Sequence, residues 1–262
     1  MKLALAQIRV VGGEPAVNLQ RAECAIMAAG AGGADIALLP EALDCGWTHP
    51  SARELAGAIP GGSAYERLRE AAARARIYVC AGIVERAGDV LFNAAVLFSP
   101  RSELLLHHRK IHELEIAQNL YARGDRLAVA HTALGTLGVM ICADAFAPGQ
   151  SLSRALGLMG ASLILSPCAW AVPADHDNTV EPYGQLWRDA YGPVARDFRL
   201  WIAGASNVGS IPAGPWSGRK CIGCSLLVGP DGLPHVEGPY GEAAETLLFA
   251  DAGTSFAPGS SK

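Results

Sequence analysis

No stretch of this chain approaches the roughly 20 consecutive apolar residues that a helix needs to cross a bilayer. Charge is also scarce: 18% of residues are charged and the net charge is −4, with a pI near 6.0. Neither sign dominates, so the chain lacks the electrostatic footprint of a nucleic-acid or acidic-membrane binder. The N-terminal segment also reads poorly as a secretory leader. The opening MKLALAQIRVVGGEP has one Lys and a short apolar run broken by Gln7 and Arg9, where a signal peptide needs a longer core and a small-residue cleavage site. We read it as the first β-strand of a cytoplasmic protein. The seven cysteines, at 24, 45, 80, 142, 168, 221 and 224, are odd in number and have no framework spacing, which fits a reducing compartment. The Gly-rich stretches GAGGAD and IPGGSAY lack the P-loop lysine and read as turns.

What is present is a core. Half of the 262 residues are hydrophobic, enough for a substantial buried interior. Strand and helix patterns alternate. Lys2–Val10 reads as a strand, Pro15–Gly30 as a helix with Leu19, Ala22 and Ile26 on one face, and Asp35–Leu39 as a short buried strand. A helix over Tyr65–Arg76 precedes a strand at Tyr78–Val84, and Val90–Phe98 with Glu103–His108 reads as a hairpin turning at Ser99-Pro100. The order then recurs: strand Gly138–Ile141, helix Ser151–Gly160, strand Ser162–Leu165, helix Tyr183–Phe198, strand Leu200–Ala205. Leu226–Val228 leads into the turn Pro230-Asp231-Gly232, and Thr246–Ala250 closes the set. No linker divides the chain, so we expect one α/β domain over 1–252 and a flexible tail over 253–262.

Three segments share one grammar, an apolar β-run that stops at a reactive residue. They are ALLPE ending at Glu41, LLLHHRK ending at Lys110 and GVMIC ending at Cys142. Ligands of α/β proteins gather beyond the carboxyl ends of strands, so a carboxylate, an ammonium and a thiol at such ends can converge on one pocket. Singly, each has a plainer reading: Glu41 as a helix cap, Lys110 as part of a solvated basic cluster, Cys142 as packing. Together they resemble the catalytic motifs of the carbon–nitrogen hydrolases of the nitrilase superfamily. KLALAQI resembles that family's first strand, LLPEALDCGW its glutamate motif, HHRKIHELE its lysine motif and GVMICADAFAP its cysteine motif. GASLILSPCAW, ASNVG and CSLLVGPDG match later landmarks, so the resemblance covers nearly the whole chain.

The resemblance implies a four-layer α-β-β-α sandwich that dimerises through a helical face, and a Glu41-Lys110-Cys142 triad that needs no cofactor. Such a triad suits acyl transfer: Glu41 takes the thiol proton, Cys142 attacks the carbonyl, and Lys110 with the Ala143 N–H binds the oxyanion. Many members carry a second glutamate after the lysine. Here the candidates are Glu113 and Glu115, with a charged face of a short surface helix as the alternative, and the residues do not choose between them. Ala143 and Ala145 imply an open or unusually shaped wall near the thiol. Trp47, Trp170, Tyr183, Trp187, Asn207 and Trp216 are candidate pocket walls, and the loop Ala171–Pro182 a candidate lid.

A metal reading of Asp175, His176 and Asp177 is weak, because three adjacent residues seldom complete a coordination shell. Cys221 and Cys224 form a lone CxxC without a second ligand pair, and packing explains them better. The expected activity is hydrolysis of a non-peptide C–N bond in a small molecule, a primary amide first, with a nitrile or N-carbamoyl group as alternatives. Two other classes stay open: a silent binding protein of the same fold, and a redox protein working through Cys221 and Cys224.

Overall fold

A computed structural model describes residues 1–253; the expected flexible tail, apart from Gly253, lies outside the described residues. The first half of the chain builds a six-stranded sheet. Strands β1 (Lys2–Gln7), β2 (Ile36–Leu38) and β3 (Tyr78–Ala87) run parallel, with α1 (Pro15–Ala31) and α3 (Ser63–Ala75) as crossovers and the short α2 (Ala52–Leu55) between them. Strands β4 (Val90–Phe98) and β5 (Leu104–Arg109) extend the sheet antiparallel. The second half repeats the plan. Strand β6 (Val129–Thr132) pairs antiparallel with β7 (Gly135–Val139). The parallel set then runs β7, α4 (Ser151–Leu158), β8 (Leu163–Cys168), α5 (Gln185–Phe198), β10 (Trp201–Ser206). Strands β13 (Leu226–Val228) and β14 (Pro234–Glu237) add antiparallel. The last strand, β15 (Thr246–Asp251), returns to pair with β1.

Side-chain alternation on the first sheet decides the layering. Leu3 and Leu5 of β1, Ile36 and Leu38 of β2 and Leu97 of β4 point at the second sheet. Ala4 and Ala6, Ala37, and Val96 with Phe98 face α1 and α3, packing on Leu19, Ile26 and Leu68. Strand period two thus sends bulky leucines between the sheets, while alanines let the helices approach. On the far side, Leu156 of α4 and Tyr191, Val194 and Ala195 of α5 cover the second sheet. The result is the α-β-β-α sandwich.

The structure differs from the sequence reading mainly in short strands. The expected strand Gly138–Ile141 begins earlier, at Gly135, because Ala133-Leu134 forms a tight hairpin turn with β6. A small sheet of β11 (Val208–Ser210), β12 (Lys220–Ile222) and β9 (Ala171–Val172) was not expected. It takes the first two residues of the proposed lid into a strand.

Candidate active site

Three strand ends deliver the three expected residues to one buried place. Glu41 follows β2 and is 1% exposed, Lys110 follows β5 and is 1% exposed, and Cys142 follows β7 and is 8% exposed. The Lys110 Nζ donates to Glu41 Oε1 at 2.7 Å. Asn93, the single polar residue in the middle of β4, donates its Nδ2 to the same oxygen at 2.6 Å. Both recorded hydrogen bonds to this carboxylate therefore fall on Oε1.

The backbone around Glu41 is shaped by a close approach. Gly82 donates to Pro40 O at 3.0 Å and accepts from Leu43 N–H at 2.9 Å. A Cβ at Gly82 would lie 2.6 Å from the Glu41 Cα, so only glycine fits there. Ala42 and Cys142 both adopt positive φ, 45° and 43°. A non-glycine residue held in this region carries about 1–3 kcal/mol of strain. At Cys142 that strain makes the sharp turn from β7 into the 3-10 segment Cys142–Phe146.

Glu113 and Glu115 separate cleanly. The Glu113 carboxylate lies 3.7 Å from the Lys110 Nζ, is buried, and has neither oxygen hydrogen-bonded. Glu115 starts a short 3-10 turn and is exposed. Burial pushes the Glu113 carboxyl up to about 7, against the pull of Lys110 and with the charges of Glu41 and Asp144 adding to the rise. For Lys110, burial would drain the charge, but Glu41 and Glu113 outweigh it and hold the ammonium well above its ordinary range. The Cys142 thiol is pushed well up by burial, then by contact with Cys168 and the charge of Glu41, with Lys110 opposing. At rest the Cys142 side chain is therefore a thiol, which a base would have to deprotonate before it could attack.

Asp144 was not anticipated from sequence, yet it joins the lysine segment to the cysteine turn. Its Oδ1 accepts from the backbone of Ile111 at 3.0 Å and His112 at 2.8 Å. Its Oδ2 accepts from Ile141 N at 2.8 Å and meets His108 Nε2 at 2.8 Å. Burial pushes this carboxyl up, but His108 and the backbone N–H groups outweigh it and keep it below the usual range. The available signal was a polar residue in an alanine-rich, core-forming segment, which demands buried partners.

The candidate walls split into two groups. The Trp47 ring centroid is 6.0 Å from the Lys110 Nζ and packs edge-on against Trp216 at 4.7 Å. Trp47 and Asn207 line a small cavity of about 20 Å³. Trp170 stacks on Trp187 at 4.4 Å, and Trp187 donates its indole N–H to Tyr183 at 2.8 Å. These three line a second cavity of about 180 Å³, which the Arg188–Glu237 ion pair borders. Ala143 and Ala145 are both buried rather than exposed along an open wall, and Phe146 turns onto Trp187 at 4.6 Å. Asp177 is occupied by Thr179, and His176 stands 4.0 Å from Glu181. Among the described residues no group of three or more His, Cys, Asp or Glu could hold a metal ion. Cys221 and Cys224 are both free thiols, each pushed up to about 12, chiefly by burial.

The family profile described as carbon-nitrogen hydrolase matches residues 2–253. The chain belongs to the carbon–nitrogen hydrolase family. It is, accordingly, a cysteine-dependent hydrolase of carbon–nitrogen bonds within the nitrilase superfamily. It is 32% identical over 234 residues to a nitrilase of Pyrococcus abyssi, covering 88% of this chain and 82% of that one. It is 29% identical to a chloroplastic omega-amidase of Arabidopsis thaliana, covering 82% of this chain and 58% of that longer protein. Among solved structures, an amidase of Nesterenkonia sp. AN1 in complex with butyramide superposes with a TM-score of 0.80 at 24% identity, covering 96% of this chain and 90% of the other. No helix of the described residues is long and apolar enough to cross a membrane.

Proposed function

We propose that this hydrolase cleaves a primary amide of a small molecule through a thioester on Cys142. The observation that carries the reading is the shared contact of Lys110 and Asn93 on one oxygen of Glu41, in a buried site within charge reach of the Cys142 thiol. Glu41 takes the thiol proton through its other oxygen as sulfur attacks the amide carbonyl. Lys110 Nζ and the Ala143 N–H bind the oxyanion, and losing one such donor typically costs about 10²–10³ in rate. Glu41 then protonates the departing ammonia, and later activates the water that hydrolyses the thioester. Glu113, with a carboxyl near 7 beside Lys110, holds the ammonium in place.

The butyramide bound to the Nesterenkonia amidase supports a short acyl amide. The test is ammonia release from a panel of small amides, carbamoyl compounds and nitriles, with Cys142→Ala alongside. Release from amides that vanishes in the variant is expected. A wild type that acts on no amide, although Cys142 alkylates rapidly, would overturn the amide assignment.

One comparison favours a second reading. The Pyrococcus abyssi relative is named a nitrilase, and the same triad can add water to a nitrile through a thioimidate. Conversion of a nitrile to its acid at a kcat/KM above that for the matching amide would select it. We also infer self-association through the α4–α5 face, where Leu158 is 80% and Leu186 58% exposed.

A further inference from the structure

We propose that Cys142 and Cys168 are an oxidisable thiol pair, in which Cys168 captures the oxidised nucleophile as a disulfide before oxidation goes further. Cys168 ends β8 and Cys142 follows β7, adjacent parallel strands whose pairing continues to Met140 N–H donating to Leu165 O at 3.1 Å. Ser166 lies between them: its Oγ accepts the Cys142 N–H at 3.2 Å and sits 3.4 Å from the Cys168 Sγ. The register that pairs Val139 with Leu165, carried three residues further, sets position 142 beside position 168, and both side chains lie in the same buried cluster. Cys168 also donates to Ser166 O at 3.2 Å and lies 3.6 Å from the Tyr191 hydroxyl.

Exposure orders the two events. Cys142 is 8% exposed and Cys168 0%, so a small oxidant entering the amide site meets Cys142 first. Amide hydrolysis has no use for the Cys168 side chain, whose backbone oxygen alone holds Glu41, accepting its N–H at 3.1 Å. The position beside Cys142 nonetheless holds a second free thiol.

The chemistry needs a hydroperoxide as oxidant, and it rests on Cys142 being the thiol that Glu41 deprotonates. The Cys142 thiolate attacks one peroxide oxygen; an S–O bond forms, the O–O bond breaks, and hydroxide or alkoxide leaves. The product is a sulfenic acid. Cys168 sulfur then attacks Cys142 sulfur; the S–S bond forms, the S–O bond breaks, and the Cys168 proton departs with the hydroxide as water. Two electrons pass from the two thiols to the peroxide, and an external dithiol returns them. Without Cys168, further peroxide carries the sulfenic acid to the sulfinic acid, which a dithiol does not restore.

The experiment is peroxide treatment of the full chain followed by mass measurement without reduction. The wild type is expected to lose about 2 Da, to yield a peptide pair joining 142 with 168, and to regain most of its starting activity in dithiothreitol. Cys168→Ala is expected to gain about 32 Da at Cys142 and to recover less than about a tenth of its own starting activity. The double variant Cys221→Ala/Cys224→Ala should behave as wild type. A wild type that gains oxygen at Cys142 without the cross-link overturns the proposal, as does a link from Cys142 to another cysteine or an undiminished disulfide in Cys168→Ala. The mass readout needs no substrate, so a protein that forms the cross-link but hydrolyses no amide before oxidation or after reduction would refute the amide reading and leave the thiol pair standing. The wild-type peptide map also stands should the alanine variant fold poorly.

Discussion

The two halves of the molecule follow the same plan: three parallel strands joined by helices, then two antiparallel strands at one edge. They load the ends of corresponding strands differently. At the end of the first parallel strand, one half has Gln7, spent on bonds to Ser225, Pro239 and Ala244; the other has the sharp turn at Cys142. At the end of the second, one half has Glu41 just after the strand and the other Cys168 as its last residue, and the two meet where Glu41 N–H donates to Cys168 O at 3.1 Å. Thus the first half brings two carboxyl groups and an ammonium (Glu41, Glu113, Lys110), and the second brings thiols and aromatic rings. Neither set is a site alone. Asp144, reaching from the cysteine turn to residues 108, 111 and 112, fixes one set against the other.

Removing the sulfur should have the largest effect. Cys142→Ala is expected to lower kcat by at least about 10⁴-fold while the melting temperature moves by less than about 4 °C. A variant with a tenth of wild-type activity would mean that the second half does not carry the nucleophile. Cutting the joint comes next. Asp144→Ala strands several buried donors and should cost about 3–5 kcal/mol of stability, read from urea midpoints. Asp144→Asn keeps one acceptor oxygen, enough for the Ile111 and His112 N–H groups, but sets an NH2 against the Ile141 N–H and His108. It should fold, yet alkylate at Cys142 several-fold more slowly and with a shifted pH profile. An unchanged profile would leave Asp144 with a purely structural part.

Glu113→Gln sharpens the comparison from the ionic side. Glu113 is raised from 4.5 to about 7 in the folded chain, so between those values the native state binds the extra proton and the unfolded state does not. Stability must then fall as pH rises through that window. The variant should flatten that fall by on the order of 1–2 kcal/mol between pH 5 and pH 8. Some slope will persist, because burial also raises Asp44, to about 6, in the same sense. Parallel slopes for wild type and variant would refute the assignment. The smallest expected effect is Leu158→Glu on α4, which should shift sedimentation toward monomer while leaving the site's residues in place.

How much of this was legible in the sequence follows from where each signal sits. Glu41, Lys110 and Cys142 end apolar runs, so the change from β-pattern to reactive residue marks them. Asn93 lies inside a continuous apolar run, VLFNAAVLF, where one polar letter gives no hint that it reaches across to Glu41. Gly82 looks like an ordinary strand glycine until the Pro40–Leu43 backbone is seen crowding it. The separation of Glu113 from Glu115 depends on the twist of the chain after Lys110, which buries one and exposes the other; spacing alone treats them alike. Among the strands, those with long Val/Ile/Leu runs were readable. Those of two or three residues beside glycines and prolines, such as β9 and β11, depend on partners far along the chain.

The poise of Glu113 has a consequence for traffic through the site. Below about pH 7 this carboxyl keeps its proton, so although it lies 3.7 Å from the Lys110 Nζ it adds no negative charge there. Above that pH it becomes a further anion on the same ammonium. The buried cluster therefore changes its net charge by one across neutral pH, and the charge of an entering molecule decides on which side of that change it is better received.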